Sequence, residues 1–268
     1  MSTPKTILPP VPTVSVRTVH MAGMLVDVYG LDELSPLASR ITCLWLHHQR
    51  TRRKEALASI AARCVEAWNA RLSSQGRGLI AAAFDHRNHG GRIVSECANA
   101  DWAEGNPTHA QDMLGLLMGA VADQRVLLDV VEGYLFPDGN QVVDRHLALG
   151  VSLGGHSVWQ AMFAEPRICA GVVVIGCPDL MCKSGSSLLG FSVGSLADRI
   201  ETCFHIVPRP LPSRHTRPRM EAFLFLGVEI SPRHLLTPVE SLIQRVFSLA
   251  PPRCPSLGFR LRGRLEKR

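Results

Sequence analysis

A chain of 268 residues, 46% hydrophobic and 19% charged, can bury roughly 75% of its unfolded surface, which excludes wholesale disorder and any dependence on disulfides or a structural metal for stability. Its net charge of +6 arises at one end: residues 201–268 hold 12 basic and 5 acidic side chains (+7), residues 1–200 hold 17 and 18 (−1). No apolar run approaches the ~18 residues that cross a bilayer, and the proline-bearing N-terminus has no apolar h-region, so a cytoplasmic protein with no membrane partner is expected.

Two short alternating runs, residues 13–20 and 23–30, separated by Met21 and Ala22 with the turn residue Gly23 opening the second, predict an antiparallel pair of strands at the start. ITCLWLH (41–47) is continuously apolar, as a strand covered on both faces must be. Residues 54–72 follow with helical spacing, which places Leu57, Ile60, Ala61, Cys64, Val65 and Trp68 on one side. GLIAAAFD (78–85) is a second buried strand, and residues 108–135 form a long helical pattern with possible breaks at Gly115, Gly119 or Gly133. HLALGV (146–151) is a strand, 155–164 a helix stopped by Pro166, and ICAGVVVIG (168–176) a strand again. Buried strands alternating with amphipathic helices predict an α/β fold, with a mainly parallel sheet flanked by helices.

Beyond residue 180 the pattern weakens. Residues 184–195 are rich in Ser and Gly and residues 208–219 in Pro and Arg; only AFLFLG (222–227) and 239–249 read as a strand and a helix. The domain division expected is a core over 1–200 and a divergent or incomplete C-terminal part of the same domain over 201–268. The tail has 11 arginines but no aromatic stacking pattern or basic helix face accompanies them, so nucleic acid is not the expected partner. Eight cysteines are scattered without a C-x-x-C pair, several inside apolar runs; they read as reduced thiols, and no zinc site is expected.

The chemistry concentrates at Gly150-Val151-Ser152-Leu153-Gly154. This G-x-S-x-G follows an apolar strand and precedes a helix, the setting that holds a serine Oγ on a sharp exposed turn. A second match, Gly190-Phe191-Ser192-Val193-Gly194, has no strand before it and is a coincidence of a Ser/Gly-rich stretch. Upstream, the strand at 78–85 runs into Asp85-His86-Arg87-Asn88-His89-Gly90-Gly91-Arg92. Two histidines three apart beside an aspartate evoke a metal site, but no further ligand follows at a zinc-like spacing.

With these motifs the chain resembles the α/β-hydrolase fold family, in its serine-hydrolase branch, over residues 14–179. In that family a D-x-R-x-H-G loop follows the strand ahead of the long helix, and Asp85, Arg87, His89 and Gly90 match it, in a mainly structural role. The resemblance implies an α/β-hydrolase-like architecture and a serine nucleophile, Ser152, that attacks an acyl carbonyl and needs no cofactor. The oxyanion would be held by the N–H of Leu153 and by an amide just after the strand at 41–47, from His48 or Gln49; His48 stands where the family has glycine. The acid and base should follow in the order Ser, Asp/Glu, His. Glu229, just after AFLFLG, is the best placed acid and His234 the histidine that follows it, although a separation of five residues is short and residues 235–268 contain no histidine. Asp179 is the second choice of acid, for which His205 or His215 would keep the chain order. The expected activity is hydrolysis of a small-molecule acyl substrate, a carboxylic ester first. The alternatives are a prolyl-oligopeptidase-like peptidase and a catalytically silent hydrolase-fold protein with an incomplete triad.

Overall fold

The computed structural model describes residues 10–72, 76–176, 203–208 and 224–227. Eight strands form one sheet: β1 (Val16–Met21), β2 (Met24–Tyr29), β3 (Arg40–His47), β4 (Arg77–Phe84), β5 (Val142–Val151), β6 (Ile168–Val174), β7 (Cys203–Pro208) and β8 (Leu224–Gly227). Their order is β1-β2-β4-β3-β5-β6-β7-β8. β4, β3, β5 and β6 are parallel, whereas β1 and β2 at one end and β7 and β8 at the other pair antiparallel. This mixed sheet flanked by helices is the α/β-hydrolase-like architecture that the sequence implies.

Among the described residues three helices cover the sheet: α1 (Ala58–Leu72), α2 (His109–Leu135) and α3 (Leu153–Ala164). The parallel strands are apolar throughout because both faces are covered. On β3, Leu44 and Leu46 pack with Leu57, Ala61 and Val65 beneath α1. Cys43 and Trp45 alternate onto the other face, with Leu127 and Val131 of α2 and Val158 and Met162 of α3. A 3-10 turn, Lys54–Leu57, leads into α1, where the sequence predicts one continuous helix. It is anchored by a buried ion pair, Lys54 Nζ to Asp27 Oδ2 at 2.5 Å, and Thr18 Oγ1 donates to the other oxygen of Asp27.

α2 runs unbroken through all three of its glycines. Nothing lies within 4 Å of a Cβ built at Gly115 or Gly133, but one at Gly119 would meet Arg87 Cδ at 2.5 Å, so this glycine makes room for a crossing side chain. β7 is missed by the sequence reading: it lies in the Arg/Pro-rich region and ends on a proline. Its antiparallel pairing leaves β8 parallel to β6, with Gly227 opposite Cys203, whose neighbour Phe204 pairs with Val174. The end of β8 therefore lies at the same sheet edge as the carboxyl ends of β3, β4, β5 and β6, where open α/β sheets bind their ligands. The helix expected over 239–249 lies outside the described residues. Cys43 and Cys97 are free thiols, whereas Cys169 is disulfide-bonded, contrary to the reading of all eight as reduced. Among the described residues no helix is long and apolar enough to cross a membrane.

Candidate active site

β5 ends at Val151 and α3 begins at Leu153, so the whole reversal of chain direction falls on Ser152. Its backbone has φ 55° and ψ −114°, outside the regions that residues with side chains ordinarily occupy. Two hydrogen bonds fix it there: Ser152 N–H to the Val174 carbonyl at 2.8 Å, and His156 N–H to the Ser152 carbonyl at 3.1 Å. The flanking glycines are required by close approach. A Cβ at Gly150 would lie 2.1 Å from the Gly154 carbonyl oxygen, and one at Gly154 would lie 2.0 Å from the His47 oxygen and 2.5 Å from its carbon. Both obstacles are backbone, which cannot swing aside as a side-chain end can. Ser152 itself is half-buried, at the start of a helix whose first N–H groups have no intrahelical acceptors.

The contact at Gly154 brings the end of β3 against the first turn of α3. Because the His47 carbonyl oxygen lies nearer to Gly154 than its carbon does, the trans peptide turns the His48 N–H away from Gly154. His47 pairs with Gly150 across β3 and β5, which sets the loop 47–50 beside Ser152.

Because β3 and β4 are neighbours, their two end loops bring four buried imidazoles together: His47, His48, His86 and His89. Ring centroids are 4.5 Å apart for His48 and His86, 5.4 Å for His47 and His86, and 5.3 Å for His48 and His89. His47 Nδ1 and His86 Nε2 share a hydrogen bond of 3.2 Å. Burial lowers the pKa of His47 and of His48 to about 4 and moves those of His86 and His89 down as well, so all four rings are neutral at pH 7. The Gln124 amide, on α2, and His47 Nε2 are buried with no hydrogen-bond partner among the described residues. Among the described residues no group of three or more His, Cys, Asp or Glu side chains could hold a metal ion.

The loop 85–92 is built on two carboxylates. Asp85 accepts the backbone N–H of Lys54 at 2.8 Å and that of Gly91 at 2.9 Å. Gly90, at φ 54°, has no room for a Cβ, which would lie 2.2 Å from the same carboxylate. Arg87 and Arg92 converge on Asp123 of α2, at 2.9 and 2.8 Å, with Arg87 lying across Gly119. Neither Asp123 nor Gln124 stood out in the sequence. The available signal was a glycine inside a helix four residues before an acid, which marks the groove and the partner for a crossing arginine. In the sequence His86 reads only as part of a two-histidine loop, and its meeting with His47 depends on the strand order.

Of the residues expected from the sequence, Ser152, Leu153 and His48 come together at the carboxyl edge of the sheet. Glu229 and His234 lie outside the described residues, as do Asp179, His215 and Ser192. Glu229 follows the end of β8 by two residues, and His205 lies in β7 in register with Val173. Among the described residues no histidine or carboxylate is hydrogen-bonded to Ser152 Oγ.

No protein-family model and no curated protein matches the sequence. Solved structures match part of the chain. TT1662 from Thermus thermophilus is 17% identical with a TM-score of 0.43, over 61% of this chain and 57% of that one. Epoxide hydrolase A from Mycobacterium thermoresistibile is 19% identical with a TM-score of 0.37, over 66% and 46%. The Pyrococcus furiosus esterase Pf2001 is 15% identical with a TM-score of 0.35, over 69% and 59%. The matched region thus spans less than two thirds of each of these proteins. At such scores the matches add nothing to the strand order and elbow geometry, which stand on this chain's own coordinates.

Proposed function

We propose that the chain is a cytoplasmic serine hydrolase that cleaves ester, thioester or amide bonds by acyl transfer through Ser152, with carboxylic esters as its preferred substrates. Ser152 Oγ would bond to the carbonyl carbon while its proton passes to a histidine. The Leu153 N–H and an amide of the loop after β3 would hold the resulting oxyanion. Collapse would break the bond to the leaving alcohol, which takes the proton, and water would then hydrolyse the acyl-enzyme. The observation that carries this reading is the backbone of Ser152. A hydroxyl-bearing residue is kept at a strained φ and ψ at the rim of the sheet, between two glycines that have no room for a methyl group, and strain of this kind persists where function requires it.

The direction of β8 supports Glu229 as the acid, because it brings the chain to the edge where Ser152 stands. Three strand spacings of ~4.8 Å separate the ends of β5 and β8, a gap that an intervening imidazole would have to bridge. His234 is proposed as that base; Asp179 with His205 or His215 is the alternative that preserves the chain order. A second reading, a hydrolase-like fold without activity, draws on the lack of a base bonded to Ser152 among the described residues. Hydrolysis of short p-nitrophenyl esters by wild type and Ser152→Ala separates the two. Turnover that the substitution abolishes supports the enzyme, and equally slow rates for both proteins would remove it.

A further inference from the structure

His48 stands where a glycine would close the turn after β3, and both nitrogens of its ring are held. Nδ1 bonds the Gln49 carbonyl oxygen at 2.7 Å, and Nε2 faces the backbone N–H of His86 at 3.0 Å. An amide N–H can only donate and a carbonyl can only accept, so the proton sits on Nδ1 and Nε2 is the acceptor. The Gln49 carbonyl also accepts the Arg52 N–H at 3.2 Å. On the other side of His48 the peptide is fixed as well, with the His47 carbonyl against Gly154 and the His48 N–H directed away from it. The Gln49 N–H lies between these two fixed points. His86, the far anchor, belongs to the loop that Asp85 and Asp123 hold rigid.

We propose that His48 is a positioning residue: its Nδ1–H tautomer ties the Gln49 peptide to the loop after β4, so that the Gln49 N–H joins the Leu153 N–H as the second donor to the oxyanion formed at Ser152. This inference rests on Ser152 being the nucleophile. In place of the conformational freedom that glycine gives such a turn, the ring supplies a two-point brace. A donor displaced by 1 Å costs about 10²-fold in rate, which is the effect a lost brace should produce.

The test compares a p-nitrophenyl ester with its thiono analogue in wild type, His48→Ala and His48→Asn. Sulfur accepts hydrogen bonds more weakly than oxygen, so the oxo-to-thiono rate ratio reports the oxyanion donors and does not change with the amount of folded protein. In His48→Ala kcat should fall about 10²-fold with KM little changed, and the ratio should fall with it. His48→Asn keeps a donor for the Gln49 carbonyl but no acceptor for the His86 N–H, and should recover part of both. A ratio in His48→Ala equal to that of wild type would overturn the inference alone, whatever happens to kcat. Wild type that hydrolyses neither ester in a Ser152-dependent way would overturn the inference together with the hydrolase reading. Nitrogen-15 NMR of the wild-type rings checks the brace without activity: an Nδ1–H signal is expected for His48, and an Nε2–H tautomer would refute it.

Discussion

The strain at Ser152 has a thermodynamic consequence that can be measured without any substrate. Ser152→Ala and Ser152→Gly both remove the hydroxyl, so their difference isolates the backbone. At an ordinary position glycine is the less stable of the two by roughly 0.4–1 kcal/mol, because it frees the unfolded chain. At φ 55° and ψ −114° a residue with a Cβ bears strain of order 1–3 kcal/mol, which glycine does not. Relief of about 2 kcal/mol against a loss of about 0.7 leaves Ser152→Gly more stable than Ser152→Ala by about 1 kcal/mol. Paired urea denaturation curves at one protein concentration would read this as a higher midpoint with an unchanged slope. An alanine variant as stable as the glycine variant, or more so, would show that the elbow carries no strain and would remove the main observation behind the proposed nucleophile.

Gly154→Ala should destabilise the fold by about 3 kcal/mol or more, because its Cβ meets backbone at 2.0 Å. Gly133→Ala, in open space on α2, should be stabilising by roughly 0.5–1 kcal/mol in the same denaturation assay. Lys54→Met leaves Asp27 charged and buried without its ammonium partner, and a loss of about 3–5 kcal/mol is expected in thermal or urea unfolding. Acid should weaken the protein before most carboxylates titrate. Burial lowers the pKa of His146 to about 4, so between pH 6.5 and 4 the unfolded chain binds a proton that the folded chain excludes, and stability falls as pH drops through that window by about 1.4 kcal/mol per unit for one such group. His146→Asn keeps an acceptor for Trp45 Nε1 and should make the slope of stability against pH shallower by that amount.

The sequence displays most of the central sheet because burial on both faces writes itself as uninterrupted apolar runs. ITCLWLH, GLIAAAF, HLALGV and ICAGVVV become β3, β4, the end of β5 and β6 with shifts of a few residues. The elbow was legible for a different reason: glycines on either side of a serine between a strand and a helix imply close approach, and the contacts of Gly150 and Gly154 bear this out. β7 was hidden because six residues ending in proline, in an arginine-rich stretch, carry too little pattern to distinguish a strand from a loop. The four-histidine cluster was hidden because it depends on which strands are neighbours. His47-His48 and His86-His89 are separated by 38 residues from His48 to His86 and meet only because β3 lies beside β4. Helix-breaking glycines misled at α2, where Gly119 serves the passage of Arg87 and the helix continues past it.

The central claim, that the hydroxyl at position 152 is a reactive nucleophile, is tested most directly by treating the protein with a fluorophosphonate and mapping the adduct by peptide mass spectrometry. The account predicts one adduct, on Ser152, that is absent from Ser152→Ala and from heat-unfolded protein. No adduct on folded protein, or an adduct on Ser192, would contradict it.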